Sequence, residues 1–356
     1  MDFSMSFQVV VQPSGKSFDV NPDESILAAG LRQGVIMPYG CKNGACGSCK
    51  GVVKSGAFDQ GAHQPSALTA IESANGGALF CCATAKSDLV IEARVIAGAG
   101  EFMVKKLPCR VAAITKPAID VAVLKLQLPA NEKLQYFAGQ YVDILLRDGS
   151  RRSYSMGCAP HLAEQVELHV RHMPGGKFTD PVFALPDSGV PTLKERDILR
   201  FEGPLGTFFL REDSNKPIVM VASGTGFAPI KAIIEHMIFK DMRRPVVLYW
   251  GGRRPHDLYM HALCEQWAKD YEHISYIPVV SDANASDAWA GRTGFVHQAV
   301  LDDFKDLSAY QVYACGAPIV VDSAQRDFVQ LAGLPSDEFF ADSFTTAVDG
   351  VAVKTI

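Results

Sequence analysis

The chain has 356 residues, too many for one ordinary core, so two or three domains are expected. Its formal net charge is −5 and it has no block of basic residues, which excludes nucleic acid as an expected partner. Its apolar runs are strand-length, as in Ile218–Ala222, and none approaches the roughly 20 residues of a membrane span, so no membrane partner is expected.

In chain order, Phe7–Val11 and Ser17–Val20 are β-type runs flanking Pro13-Ser14-Gly15, which reads as a hairpin. Ser25 caps a helix through Leu31, with apolar residues three and four apart. A cysteine-bearing loop, Cys41 to Cys49, comes next. Strand Gly51–Lys54, a polar helix-and-loop region, the pair Cys81-Cys82 and strand Leu89–Ala93 complete the order of a β-grasp ferredoxin domain over residues 1–98. Ile96–Glu101 has two glycines and no periodicity, so a linker is placed at 99–106. From Leu107 to Arg211, short runs such as Val121–Leu124, Tyr141–Ile144 and Val166–Val170 are separated by turn signals, which argues for an antiparallel β-barrel over 107–212. After Lys216-Pro217 the texture becomes strand-helix alternation: strands at Ile218–Ala222, Val246–Trp250, Ile274–Val280 and Gln311–Ala314, with helices from Phe227, Leu258 and Ile319. Such alternation predicts a doubly wound parallel sheet over 213–356, binding a nucleotide at its carboxyl edge. The fold class is therefore multidomain α/β.

Cys41, Cys46 and Cys49 are spaced C-x4-C-x2-C, the plant-type loop for a 2Fe-2S cluster, which needs a fourth cysteine to close it. Both Cys81 and Cys82 are candidates. Gly40, Gly44 and Gly47 let the loop curl tightly so that backbone N–H groups reach the sulfurs. A structural zinc site would usually draw on two short ligand pairs, and this chain has one C-x2-C. A disulfide framework is excluded by the odd number of cysteines and by an N-terminus without a basic or apolar leader, so a reducing, cytoplasmic location is expected.

Further motifs carry chemistry. Arg152-Ser153-Tyr154-Ser155 follows a strand and a Gly149 turn, and Gly175-Gly176-Lys177-Phe178-Thr179 opens an apolar helix-like run, where amides and helix dipole suit a phosphate. Gly224-Thr225-Gly226-Phe227-Ala228-Pro229 sits where the first strand of the sheet meets its first helix, with Pro229 in a first turn that needs no N–H there. Cys315-Gly316-Ala317-Pro318 repeats the arrangement at a later strand end. Asp342-Ser343-Phe344 lies near the C-terminus, where Phe339, Phe340 and Phe344 also suit strand core.

Together these motifs resemble the ferredoxin-NAD(P)H reductase family, in particular the flavin-dependent NADH reductases with an N-terminal ferredoxin domain that feed electrons to oxygenases. The resemblance covers the whole chain. Leu79-Phe80-Cys81 and Ser87-Asp88-Leu89 match the family's L-x-C and S-D-L frame, which makes Cys81 the fourth ligand beside Cys41, Cys46 and Cys49. It implies that Arg152 grips the FAD pyrophosphate, Tyr154 lies against the flavin, Ser155 reaches N5, and Gly175, Gly176, Lys177, Phe178 and Thr179 form the pyrophosphate turn. It places Gly224, Thr225, Gly226 and Pro229 at the nicotinamide dinucleotide's pyrophosphate, Cys315 and Gly316 beside the reacting carbon, and Phe344 over the flavin. Asp342 takes the acid position, one methylene shorter than the glutamate common there. NADPH-using relatives resemble V-S-R where this chain has Val280-Ser281-Asp282, so a carboxylate replaces the phosphate-binding arginine and NADH is expected.

The expected function is passage of electrons from NADH through FAD and the cluster to a separate terminal iron-containing oxygenase, with the chain a monomer. A reductase serving sugar-nucleotide 3-deoxygenation has the same domain order, and a redox-sensing module without turnover is a further reading. The motifs do not separate FAD from FMN.

Overall fold

The computed structural model describes residues 6–96, 98, 100–162, 164–184, 189 and 191–345. They gather into two compact units, one built on the residues up to Met103 and one on Val104–Asp342, with the described residues from Ser343 onward grouping with the first.

The first unit contains β1 (Phe7–Gln12), β2 (Lys16–Val20), α1 (Ile26–Arg32), β3 (Lys50–Ser55), β4 (Phe58–Asp59), α2 (Ala70–Ala74), β5 (Gly77–Leu79), β6 (Thr84–Ala85) and β7 (Leu89–Glu92). Its main sheet runs β2-β1-β7-β3-β5, with β1 and β7 parallel and the other neighbours antiparallel. Ser25 starts α1 as expected, its hydroxyl accepting from the Ala28 amide at 3.2 Å, a cap worth about 1 kcal/mol. The helix then lays Ile26, Leu27 and Ala29 into the core formed with Val9, Val11, Phe18 and Ile91.

In the second unit, β8 (Lys105–Ala118), β9 (Val121–Gln127), β10 (Tyr141–Leu145), β11 (Arg151–Ser155), β12 (Gln165–Arg171) and β13 (Ile198–Leu205) form one sheet, with α3 (Thr179–Phe183) after β12. Its order is β11-β10-β13-β8-β9-β12, and an antiparallel bridge between Met156 and Leu168 joins the two ends into the expected barrel. Strand β8 begins at Lys105, so residues 105 and 106 belong to the sheet and not to the linker. They pair with Gly203 and Glu202, and their side chains meet Glu132 and Glu202, which carries the strand two residues beyond its first apolar position.

The remaining elements are β14 (Ile218–Ser223), α4 (Phe227–Phe239), β15 (Val246–Gly252), α5 (His261–Asp270), β16 (Ile274–Val280), β17 (Arg292–Thr293), α6 (Val296–Asp303), β18 (Gln311–Gly316), α7 (Pro318–Leu331) and β19 (Phe339–Ser343). The sheet order is β17-β16-β15-β14-β18-β19, with β14 to β17 and the β14–β18 pair parallel. The chain steps outward from β14 in one direction and then returns to its other side. The switch point therefore lies between β14 and β18, where open α/β sheets bind ligands beyond the strand ends. Helix α5 starts three residues later than the expected Leu258, because Pro255–Asp257 closes a separate 3-10 turn. Helices α6 and α7 pack over Val219, Val221 and Val312. Phe339 and Phe340 are buried on β19, in keeping with strand core.

Candidate cofactor sites

The loop from Gly40 to Ser48 has no helix or strand, and it bends through left-handed positions at Lys42, Gly44 and Gly47, with φ of 59°, 77° and 75°. Gly40 does not share that conformation. The bends turn amides toward sulfur: the Cys46 N–H donates to Cys41 Sγ at 3.3 Å and the Cys41 N–H to Cys46 Sγ at 3.4 Å. A hydrogen bond from the Cys46 side chain, and amides of Asn43, Ala45 and Cys46, pull the Cys41 thiol down to about 7 against the opposing effect of burial. Cys49 and Cys81 likewise interact through their side chains. Among the described residues no three His, Cys, Asp or Glu side chains already form a metal-ready cluster. The sulfurs fall instead into two pairs, Cys41 with Cys46 and Cys49 with Cys81. Asn43 Oδ1 is buried in this loop without a hydrogen-bond partner. Four thiols and amides aimed at sulfur fit a 2Fe-2S group. Cys82 Sγ lies 3.5 Å from Cys81 Sγ and crowds the space where a Cβ on Gly44 would stand, at 2.8 Å.

In the second unit, β11 pairs with β10 and carries Arg152, Tyr154 and Ser155 on the barrel rim. The Tyr154 ring lies 5.3 Å from the Phe178 ring, so the two aromatic residues named for the flavin meet. Ser155 Oγ donates to Asp342 Oδ2 at 3.2 Å, and Cys315 Sγ lies 4.0 Å from the same oxygen. Three strands distant in sequence, β11, β18 and β19, thus place a hydroxyl, a thiol and a carboxyl at one buried point. Burial raises the Asp342 carboxyl to about 6 while the Ser155 hydrogen bond opposes it. Burial, with the neighbouring carboxylate, pushes the Cys315 thiol well above its ordinary range. A carboxyl that titrates near neutrality can hold or release a proton at this point. Phe344 follows β19 directly and is half-buried.

The Gly175–Thr179 turn departs from expectation in one respect. The Gly175 amide donates to Asp180 Oδ2 at 3.1 Å and the Gly176 amide to Met173 O at 2.8 Å, so neither amide faces outward. Asp180 has taken the position expected for an anion. Lys177 pairs with Asp148 at 2.5 Å.

At the switch point, Gly224–Gly226 forms a 3-10 turn leading into α4, with Pro229 in its first turn. A Cβ on Gly226 would stand 2.2 Å from Cys315 O, and one on Gly316 2.2 Å from Ser223 Oγ. The Ser223 hydroxyl accepts from the Ala317 amide at 2.9 Å. The two strand-end loops touch backbone to backbone, a packing that leaves no room for a side chain at either glycine. On the outer rim, the Asp282 amide donates to Arg253 O at 2.8 Å and its side chain is exposed.

One cluster carried no motif in the sequence. Lys231 of α4, its side chain only 8% exposed, reaches Gly157 O at 2.8 Å, Glu167 Oε1 at 3.0 Å and Glu235 Oε1 at 2.8 Å. His169 of β12 lies 2.9 Å from Glu167 Oε1 and 2.7 Å from the Tyr259 hydroxyl. The cluster ties the barrel to the parallel sheet, and Gly157 stands two residues after Ser155. Alternation of Glu167, His169 and Arg171 along β12 was the only available sign, and it reads equally well as a solvent face.

Comparison with known proteins matches this layout along its length. Residues 9–86 match a 2Fe-2S iron-sulfur cluster binding domain, 108–210 an oxidoreductase FAD-binding domain and 220–326 an oxidoreductase NAD-binding domain. The chain is 42% identical over 340 residues to the CDP-6-deoxy-L-threo-D-glycero-4-hexulose-3-dehydrase reductase of Yersinia pseudotuberculosis, covering 96% of this chain and 99% of the relative. It is 35% identical over 350 residues to reductase component 1 of the terephthalate 1,2-dioxygenase of a Comamonas species, covering 97% and 99%. Among solved structures, a cytochrome P450 reductase of Amycolatopsis superposes with a TM-score of 0.74 at 32% identity, covering 96% and 99%. With three domains in matching order and a fold to suit each cofactor, the chain belongs to the ferredoxin-NAD(P)H reductase family, in the branch that joins an N-terminal 2Fe-2S domain to FAD- and NAD-binding domains.

Proposed function

We propose that this chain is the reductase component of a multicomponent oxygenase, passing electrons from NADH to a separate terminal iron protein of the ring-hydroxylating type. The convergence of Ser155, Cys315 and Asp342 on one point, where the flavin barrel meets the nicotinamide sheet, carries the reading. A flavin accepts a hydride and returns electrons singly, which an iron-sulfur cluster requires. Arg152 would hold the FAD pyrophosphate, Tyr154 and Phe178 would pack against its ring system, and Lys177, Phe178 and Thr179 would line its phosphate side, since the Gly175 and Gly176 amides are taken by Asp180 and Met173. Ser155 and Asp342 would hold or move a proton at the flavin edge, and Phe344 is the aromatic that the family resemblance assigns to the flavin. Gly224, Thr225, Gly226 and Pro229 would cradle the dinucleotide, Cys315 and Gly316 would lie by the reacting carbon, and Asp282 would accept from the free ribose hydroxyl. Cys41 with Cys46, and Cys49 with Cys81, would each hold one iron. The domains divide as 1–98, 105–212 and 213–356, and the chain is a cytoplasmic monomer.

The greater identity to the Yersinia protein than to the Comamonas one favours a second reading, in which the acceptor is a sugar-nucleotide dehydrase. Reconstitution separates them. Purified chain and NADH are mixed with a ring-hydroxylating oxygenase or with a CDP-hexulose dehydrase, and NADH loss is measured against product. The proposal expects matched stoichiometry with the oxygenase; coupling confined to the dehydrase would transfer the assignment.

A further inference from the structure

The rim to which the reading above assigns the adenosine half of the dinucleotide contains a second acidic residue whose position bears on coenzyme choice. Beyond the ends of β15 and β16 the ladder continues, with the Ser281 amide on Gly252 O at 2.9 Å and the Asp282 amide on Arg253 O at 2.8 Å. Arg254 is therefore fixed beside Asp282 on the same edge. The backbone there is rigid, because the Arg253 and Arg254 amides both donate to Asp257 Oδ2, at 2.8 and 3.0 Å. The Arg254 guanidinium turns to Asp287, Nη2 to Oδ1 at 2.7 Å, and the Asp287 side chain is 13% exposed. The other Asp287 oxygen accepts from the Asn284 amide at 2.9 Å, which locks the carboxylate in place. Arg254 Nε is buried without a partner, so the contact uses one end of the guanidinium and not the two-pronged fork of the strongest pairs.

We propose that Asp287 is a coenzyme-specificity residue: by holding Arg254 it withholds the cation that a 2′-phosphate would need, so NADPH is rejected by sequestration at Asp287 as well as by repulsion at Asp282. This deepens the NADH reading above and rests on it. An arginine near this ribose is the usual means of accepting the 2′-phosphate. Here such an arginine is present but engaged.

The test is Asp287→Asn, which keeps an oxygen for the Asn284 amide while removing the charge that holds Arg254. The ratio of kcat/KM for NADPH to that for NADH should rise about tenfold or more, the size of one charge-assisted hydrogen bond. Binding of 2′,5′-ADP, measured by calorimetry, should tighten by a similar factor while 5′-ADP does not. Adding Arg254→Gln to Asp287→Asn should abolish both gains. A ratio within twofold of the parent in a folded Asp287→Asn protein overturns the proposal, as does a gain that survives Arg254→Gln. The parent is read in the same assay: a parent that prefers NADPH overturns the NADH reading itself, whereas an unchanged variant of an NADH-preferring parent overturns only the role of Asp287.

Discussion

Replacing Asp342 by asparagine changes the chain's response to pH in a way that can be worked out in advance. Burial raises this carboxyl from an ordinary 3.8 to about 6. A carboxyl whose folded value lies above its unfolded one favours folding while it is protonated. Its contribution is therefore complete below about pH 4 and is lost as the pH rises through 6. At about 1.4 kcal/mol for each tenfold change, holding the charge inside costs the folded state about 3 kcal/mol above that range. Cys315, the other titratable group at this point, stays neutral throughout because burial holds its thiol high. The substituted amide can still accept from Ser155 and carries no charge at any pH. Relative to the parent, the Asp342→Asn protein should therefore gain about 3 kcal/mol between pH 4 and pH 8. Urea unfolding at half-unit pH steps measures this, and the chain's three tryptophans, Trp250, Trp267 and Trp289, all report on the nucleotide-binding part. A difference that stays flat across the range, or a variant that loses ground as the pH rises, would refute burial as the cause.

Cys41→Ser should lose the visible bands of the cluster while NADH still reduces the flavin in rapid mixing; a joint loss would show that the two centres do not work in series. Of Cys81→Ser and Cys82→Ser, only the first should lose iron on metal analysis, and equal losses would transfer the ligand role to the pair. Lys231→Met leaves Glu167 and Glu235 facing each other without their shared cation, at a cost of about 3 to 5 kcal/mol in urea unfolding, and Lys231→Arg should restore most of it. A Lys231→Met protein as stable as the parent would mean that the cluster does not tie barrel to sheet.

Local signals were legible wherever one segment settles its own shape. Ile274–Val280 and the start of α4 at Phe227 fall where β-branched periodicity and the Gly-Thr-Gly turn put them, and Ser25 caps its helix as read. Helix α6 went unmarked although Val296, Ala299 and Val300 keep helical spacing, because eight residues carry little periodic signal. What no single segment could reveal was assembly across long separations. Glu167 and His169 look like the outer face of a strand until Lys231 and Tyr259, both on the parallel sheet's side, close over them. The Gly175 amide was read as a phosphate donor, yet Asp180, five residues on, reaches back to it. Arg254 and Asp287 are 33 residues apart, and only the fold brings them together.

The separation of 187 residues between Ser155 and Asp342 also has a consequence for synthesis. At about 5 to 20 residues per second, a ribosome emits the serine some 10 to 40 s before the acid. During that interval the flavin barrel can close, since β12 and β13 follow Ser155 closely and complete the set from β8 to β13. Strand β14, fully apolar along Ile218–Ala222, emerges soon after, yet its partner β18 arrives only with Gln311–Gly316. Until then one flank of β14 is an unpaired edge of the kind that invites association between nascent chains. The point where Ser155, Cys315 and Asp342 meet therefore forms only after the barrel has closed, and a chain stalled before β19 carries the hydroxyl without its carboxyl partner.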